Sequence, residues 1–367
     1  MTVVDRRRDL HRIPELDDRL PETAAYVRSV LDPLGCELSS PIPGSVCAWF
    51  DRGRAETVAF RADMDALPVE ERTGLPFASV HPGAMHACGH DGHTAMVLAL
   101  AEYVSACPDL GRNVLLLFQP AEETTGGAER LCRTGILQKH RVSRVFGLHI
   151  WPGLPAGKVY SRPGPLMARA NEVTVTVTGK SVHLSRAAEG RDALTAGAEY
   201  LRRAYRIIDA LPPEIPRVLR FGKMVSGTVR NAVSGRTVLE GSLRTYQEEI
   251  YRFCRENLIS AGEAVQAETG CGVEVFLNEG YPAVWNHEEL FEALRQGLGE
   301  QAPAFLENPV LAAEDFSFYQ REVPGVFFFL GAGETPELHA PDFSFDDGAV
   351  LPAGVEFLKA LLTLESY

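Results

Sequence analysis

Nowhere in its 367 residues does the chain hold an apolar run near the roughly 20 residues needed to cross a bilayer, so no membrane-spanning helix is expected. Positive charge is also short. Lys and Arg total 36 against 49 Asp and Glu, a net charge of −13, which argues against nucleic acid or an anionic membrane as a main partner because both would repel it. Cysteine is sparse, odd in number at seven, and never spaced Cys-x-x-Cys. That speaks against a disulfide framework and for a reducing, cytoplasmic setting. Met1 to Leu16 is rich in Arg and Asp and has no apolar stretch, so no signal peptide is expected. Fixed-period repeats and low-complexity tracts are lacking too, which leaves an ordinary globular protein, long enough for two domains.

What is present is concentrated. His86-Ala87-Cys88-Gly89-His90-Asp91-Gly92-His93 packs three histidines, a thiol and a carboxylate into eight residues. Thiolate and imidazole together favour manganese, zinc, cobalt or nickel over calcium or magnesium. On an extended segment the Cys-Gly-His spacing would put Cys88 and His90 on one side. A polar loop with surplus histidines is the alternative, so further ligands elsewhere decide the matter.

The order of elements says where those should be. Thr57–Ala62, Asn113–Phe118 and Val145–Ile150 read as buried strands, with a helix over Gly92–Ala106. Continuous apolar runs separated by helices predict an α/β fold with a mainly parallel sheet covered on both faces. The pattern then changes. From Glu172 to Thr178 valine and threonine alternate, and the following segments read helix 191–208, strands 217–225 and 237–245, helix 247–268 and strand 272–277. That β-α-β-β-α-β order is a ferredoxin-like unit. After Gly280 the first style resumes, with a helix over 288–298, the strand Val326–Leu330 and a closing helix from Gly348. The expectation is a catalytic metal-binding domain of residues 1–168 and 280–367, interrupted by an inserted domain of residues 169–279.

Open α/β sheets bind ligands beyond the carboxyl ends of their strands, and ionisable residues gather there: Asp63 and Asp65, Glu122-Glu123, His149, and His339 after a Gly-Ala-Gly turn. Singly, each has a structural explanation, such as a capping Asp or a solvated acidic loop. Together with the octet they make five sites far apart in sequence, and these point to one centre. If Glu122 and Glu123 sit on extended backbone they point in opposite directions, one to a metal and one to a substrate water. That division suits metal-assisted hydrolysis, in which an unligated carboxylate takes the proton.

Arg61-Ala62-Asp63-Met64-Asp65-Ala66-Leu67-Pro68, the octet, Phe118-Gln119-Pro120-Ala121-Glu122-Glu123 and Gly147-Leu148-His149 resemble signatures of the M20 metallopeptidase family. The likeness is closest to its amidohydrolase branch of hippurate, auxin-conjugate and N-acetyl-diaminopimelate hydrolases, and it runs nearly end to end from Leu10-His11-Arg12-Ile13-Pro14-Glu15-Leu16. The resemblance implies a pair of divalent transition-metal ions held by Cys88, His90, Glu123, His149 and His339, with His90 bridging. It makes Glu122 the general base and Asp65 a carboxylate steadying the site. Asp63, His86 and His93 stay outside the ligand set. The family fold also carries a ferredoxin-like lid, in agreement with the element order.

In that lid, Gly179-Lys180-Ser181-Val182-His183 is similar to the segment whose histidine stabilises the oxyanion of a neighbouring active site. Asn231 and Arg244 stand where the family holds the substrate carboxylate, a task for which a guanidinium fork is suited. A homodimer through the inserted domain is therefore implied. One departure is that Ala187-Ala188 replaces the usual Pro-His, which bears on substrate preference and not on the metals. The expected substrate is a small N-acyl amino acid. A dinuclear dipeptidase or aminopeptidase, which would need a carboxylate for the free ammonium, and a non-catalytic metal-dependent binder are the competing readings.

Overall fold

The computed structural model describes residues 1–364 and divides into two compact units. The first comprises Met1–Leu166, Val284–Pro309 and the chain from Asp315 onward; the second comprises Met167–Ala283 and Val310–Glu314.

An eight-stranded sheet runs through the first unit. At its centre Thr57–Asp63 pairs in parallel with Asn113–Gln119 on one side and Val142–Trp151 on the other, and Gly325–Gly331 extends the parallel set. These strands are wholly or largely buried, as their continuous apolar runs predict. An outer strand, Val46–Phe50, runs antiparallel to Asn113–Gln119 and makes the sheet mixed. Helices His90–Ala106 and Asp347–Thr363 pack Met96, Leu100, Leu351 and Leu358 into the same core as Phe60, Phe146 and Phe328.

Charge secures the first helix, Val3–His11, to this core. Arg7 Nε and His11 Nδ1 both reach Asp91 Oδ2, at 2.8 and 2.7 Å. Arg7 and His11 thus anchor the start of the helix His90–Ala106, which holds the last four residues of the octet. Glu15 caps the next helix by accepting the N–H groups of Glu22 and Thr23.

In the second unit four antiparallel strands run in the order Gly272–Leu277, Arg169–Thr178, Arg236–Thr245, Arg217–Ser226, with helices Ala193–Asp209 and Glu248–Thr269 between them in the chain. This is the ferredoxin-like order expected from sequence. Val173, Val175 and Val177 are buried against Tyr200, Leu239 and Leu258, while Glu172 and Thr178 are exposed. The edge strand Arg217–Ser226 leaves Met224 and Val225 exposed.

Candidate metal centre

The candidate ligands of the first unit gather at the carboxyl ends of its central strands. Gly89 adopts φ +86°, a left-handed conformation open to glycine, and the helix begins at His90. Cys88 and His90 therefore converge around a turn and a helix start, not on the extended segment expected. Cys88, His90 and His149 bring one ligand atom each within 4.8 Å of one another, and so do Cys88, Glu123 and His339. Cys88 belongs to both groups. His149, within its strand, places Nε2 3.4 Å from Cys88 Sγ.

Hydrogen bonds settle which imidazole nitrogens are available. His90 Nδ1 donates to the Asp65 carbonyl at 2.8 Å, and its Nε2 is buried with no hydrogen-bond partner. His149 Nδ1 donates to the Ile150 carbonyl at 2.7 Å, which leaves Nε2 with its lone pair. A carbonyl can only accept, so both tautomers are fixed. Burial pushes both rings below the usual histidine range, well below for His149, so they stay neutral as metal ligation requires. With Nδ1 committed, His90 has one nitrogen left and cannot bridge two ions; a thiolate or a carboxylate can.

The loop after Gln119 departs from the expected extended backbone. Ala121 sits at φ +59°, its N–H bonded to the Asp17 carbonyl, and the chain turns. Glu122 and Glu123 donate their backbone N–H groups to the two oxygens of Asp65, each at 3.0 Å. Both glutamates consequently bring a carboxylate oxygen within 4.8 Å of a His90 ring nitrogen, instead of facing apart. Asp65 grips this loop through its backbone. Burial pushes the Asp65 carboxyl well above its ordinary range, against the opposing pull of those two N–H groups.

His339, at φ +68°, is placed by its N–H bond to the Ala87 carbonyl, and its Nε2 lies 3.2 Å from Glu123 Oε1. Burial opposes the charge of Glu123, but His339 and His90 hold its carboxyl below the ordinary value. Burial, reinforced by Glu123 and Glu122, pushes the Cys88 thiol well above its ordinary value. Orphaned Nε2 on His90, a thiol beside an imidazole lone pair, and clustered carboxylates form a mixed N, S and O donor set that fits divalent transition metals. His86 joins none of the candidate ligand groups among the described residues.

A network beneath the site went unread in the sequence. Arg61, in an otherwise apolar strand, donates Nε to Gln119 at 2.9 Å, Nη1 to Asp63 at 2.6 Å and Nη2 to Asp315 at 2.8 Å. Asp315 also accepts the Ala128 N–H at 2.9 Å, so it holds the far end of the glutamate loop. The one signal was a lone Arg where the core wants an apolar side chain.

The model of peptidase family M20/M25/M40 matches residues 59–364. The chain belongs to peptidase family M20/M25/M40. Within the family it is 34% identical over 376 residues to an N-acetyldiaminopimelate deacetylase of Lacticaseibacillus casei, covering 96% of both chains. It is 35% identical over 363 residues to a probable hydrolase of Synechocystis, covering 95% of this chain and 92% of that one. Its fold matches that of the Bacillus subtilis YXEP protein, described as a dinuclear metal binding peptidase of the M20 family, with a TM-score of 0.86 at 30% identity over 100% of this chain and 98% of that one. The chain is thus an M20 metal-dependent amidohydrolase that uses divalent metals. No helix among the described residues is long and apolar enough to cross a membrane.

The remaining candidates lie in the second unit. His183 caps a short 3-10 helix, Leu184–Glu189; the Ser185 N–H and hydroxyl both point at its Nδ1, at 3.2 and 2.8 Å, which puts the ring proton on Nε2. Asn231 is its neighbour, accepting the Leu184 N–H at its carbonyl. Arg244 is elsewhere. It lies near the far end of the strand Arg236–Thr245, donating to the Ser242 hydroxyl and the Leu311 carbonyl. Asn231 lies in the turn before that strand begins.

Proposed function

We propose that the chain hydrolyses the amide bond of N-acyl amino acids, with N-acetyl, N-benzoyl or similar acyl groups, releasing a carboxylic acid and a free amino acid. The observation that carries the reading is Glu122. It is a buried carboxylate beside the donor cluster, held from behind by its own backbone on Asp65. In this reading Cys88, His90, Glu123, His149 and His339 would hold two divalent ions. When bound, the ions lower the pKa of water and polarise the scissile carbonyl. Glu122 takes the proton from the attacking water and delivers it to the departing amine, so that acid and base roles fall on one group. Asp65 keeps Glu122 in reach. His183, carrying its proton on Nε2, donates to the oxyanion. Arg244 and Asn231 receive the substrate carboxylate.

A homodimer through the second unit completes this reading, with a partner's lid supplying His183 and Asn231 together; its support is that Arg244 lies near the end of the strand Arg236–Thr245 while Asn231 precedes its start. Two experiments test these assignments. Metal-loaded wild type should turn over N-acetyl and N-benzoyl amino acids, and Glu122→Gln should lose at least about 10²-fold in kcat; unchanged turnover refutes the assigned base. Mixing inactive His183→Ala subunits with inactive Glu122→Gln subunits should restore part of the activity, and no recovery despite confirmed exchange refutes a histidine acting across the dimer. Faster cleavage of unblocked dipeptides than of their N-acyl counterparts would favour the peptidase reading.

A further inference from the structure

His93 has the chemistry of a ligand and lies among them. Its ring centroid is 4.6 Å from that of His149 and 5.4 Å from that of His90. Yet both of its nitrogens are spent. Nδ1 donates to Asp63 Oδ1 at 2.6 Å, and Nε2 accepts the Ile150 N–H at 2.8 Å. A backbone N–H can only donate, so the proton of His93 is on Nδ1 and no lone pair faces the donor cluster.

Those bonds link into a longer chain. Asp63 is itself held by Arg61 Nη1 at 2.6 Å on its other oxygen. Ile150, clamped at its N–H by His93, offers its carbonyl to His149 Nδ1 at 2.7 Å. Beyond it stands His149 Nε2, 3.4 Å from Cys88 Sγ. The strand pairing explains why this backbone is free to serve. Thr57–Asp63 pairs with Val142–Trp151 only as far as Arg61 and Gly147, so Ile150 lies past the end of that ladder and two imidazoles take its N–H and C=O instead. Arg61, Asp63, His93 and His149 are all buried, so water does not compete for these bonds.

We propose that the Asp63–His93 pair is a positioning device. By clamping the Ile150 backbone it fixes the tautomer and aim of His149 Nε2, and thereby sets the affinity and geometry of the metal site. Partners behind a ligating imidazole typically tune metal affinity by 10- to 100-fold. Here the partner of His149 is a backbone carbonyl, and the side chains that hold that backbone stand one step further back. The inference rests on His149 being a ligand, and not on which amide is cleaved.

The test uses the full chain stripped of metal by a chelator and titrated with cobalt(II) alone, with its visible absorption recorded and Kd taken from competition with a chelator. His93→Phe keeps the ring volume and removes both bonds. It should weaken cobalt binding about 10- to 100-fold and alter the absorption bands, while the metal-free protein keeps its circular dichroism. In His93→Gln one amide can donate to Asp63 and accept from Ile150, so affinity should return to within a few-fold of wild type. A folded His93→Phe protein with the wild-type Kd and spectrum overturns the proposal. Should His93→Phe not fold, Asp63→Asn decides: a loss of about tenfold in affinity with shifted bands supports it, and an unchanged Kd and spectrum overturn it. No substrate enters the measurement. Failure to cleave N-acyl amino acids would therefore leave the result standing, whereas a wild-type chain that bound no cobalt would overturn the metal assignment and this proposal together.

Discussion

Replacing Asp65 by Asn tests how the glutamate loop is held. The side chain keeps its size and is almost wholly buried, so packing changes little. Its two oxygens accept the N–H groups of Glu122 and Glu123, each at 3.0 Å. In the amide one oxygen can still accept, but the other atom becomes a donor facing a donor. A hydrogen bond to a charged group contributes about 1.5–3 kcal/mol, and a buried N–H left unsatisfied costs about 1–3 kcal/mol. The two overlap in one contact, so the expected loss of stability is about 2–4 kcal/mol. The three tryptophans, Trp49, Trp151 and Trp285, all lie in the first unit, so their fluorescence in urea reports that unit alone. The unfolding free energy of metal-free Asp65→Asn, taken from its urea midpoint and slope, should fall by that amount. Turnover should fall by about 10²-fold as Glu122 shifts by about 1 Å. A variant with wild-type midpoint and wild-type kcat refutes the reasoning, for it would mean that the carboxylate charge does not hold the loop and that burial keeps Asp65 as a neutral acid.

Two further perturbations probe the same loop and the anchor beneath the octet. A Cβ added at Gly127 would stand 1.8 Å from the Pro120 carbonyl oxygen, so Gly127→Ala must shift the backbone that carries both glutamates; reduced cobalt affinity and a lowered urea midpoint are expected, and wild-type values for both would refute the close approach. Burial opposes the charge of Glu71, but His11, the Thr73 hydroxyl and the Ser79 N–H outweigh it and bring its carboxyl from 4.5 to about 2. The folded value is depressed, so the stabilisation is fully present above about 4.5 and is lost as pH falls from there to about 2. Glu71→Gln should flatten that acid limb in pH-dependent urea melts, and a limb of unchanged depth refutes the assignment.

The sequence revealed the parts of the centre more readily than their aim. Val173, Val175 and Val177 announce a sheet with one buried face because strand side chains alternate with a fixed period, and the structure buries all three. Cys88, Glu123, His149 and His339 are legible because ligand chemistry belongs to residue type. Direction belongs to the backbone. A positive φ at Ala121 turned Glu122 and Glu123 toward one side, and nothing in a Pro-Ala-Glu-Glu run marks that turn as distinct from an extended segment. His90 and His93 look equivalent in sequence, three residues apart on one helix. What separates them is that Ile150 presents an N–H to one and nothing occupies Nε2 of the other. Arg61 was visible as a charge in a buried strand, but its partner Asp315 lies 254 residues away, and no local pattern connects them.

The charge balance of the site explains why these residues tolerate burial at all. Asp63 is matched by Arg61 and by the imidazole of His93, which together outweigh its burial and hold its carboxyl well below the ordinary range. Around Glu123 the described residues place imidazoles, with His339 Nε2 at 3.2 Å and His90 Nε2 at 3.9 Å from its Oε1. Acidic groups gathered in a low-dielectric interior cannot all ionise without compensation. In the metal-free chain burial therefore pushes the Cys88 thiol well upward, toward its neutral form. Divalent ions would supply positive charge that lets these groups ionise together, and uptake would then expel the proton that burial retains on Cys88. The upward direction at Cys88 is thus the expected signature of a centre built for divalent cations, and the Arg61–Asp63 pair marks where that centre ends.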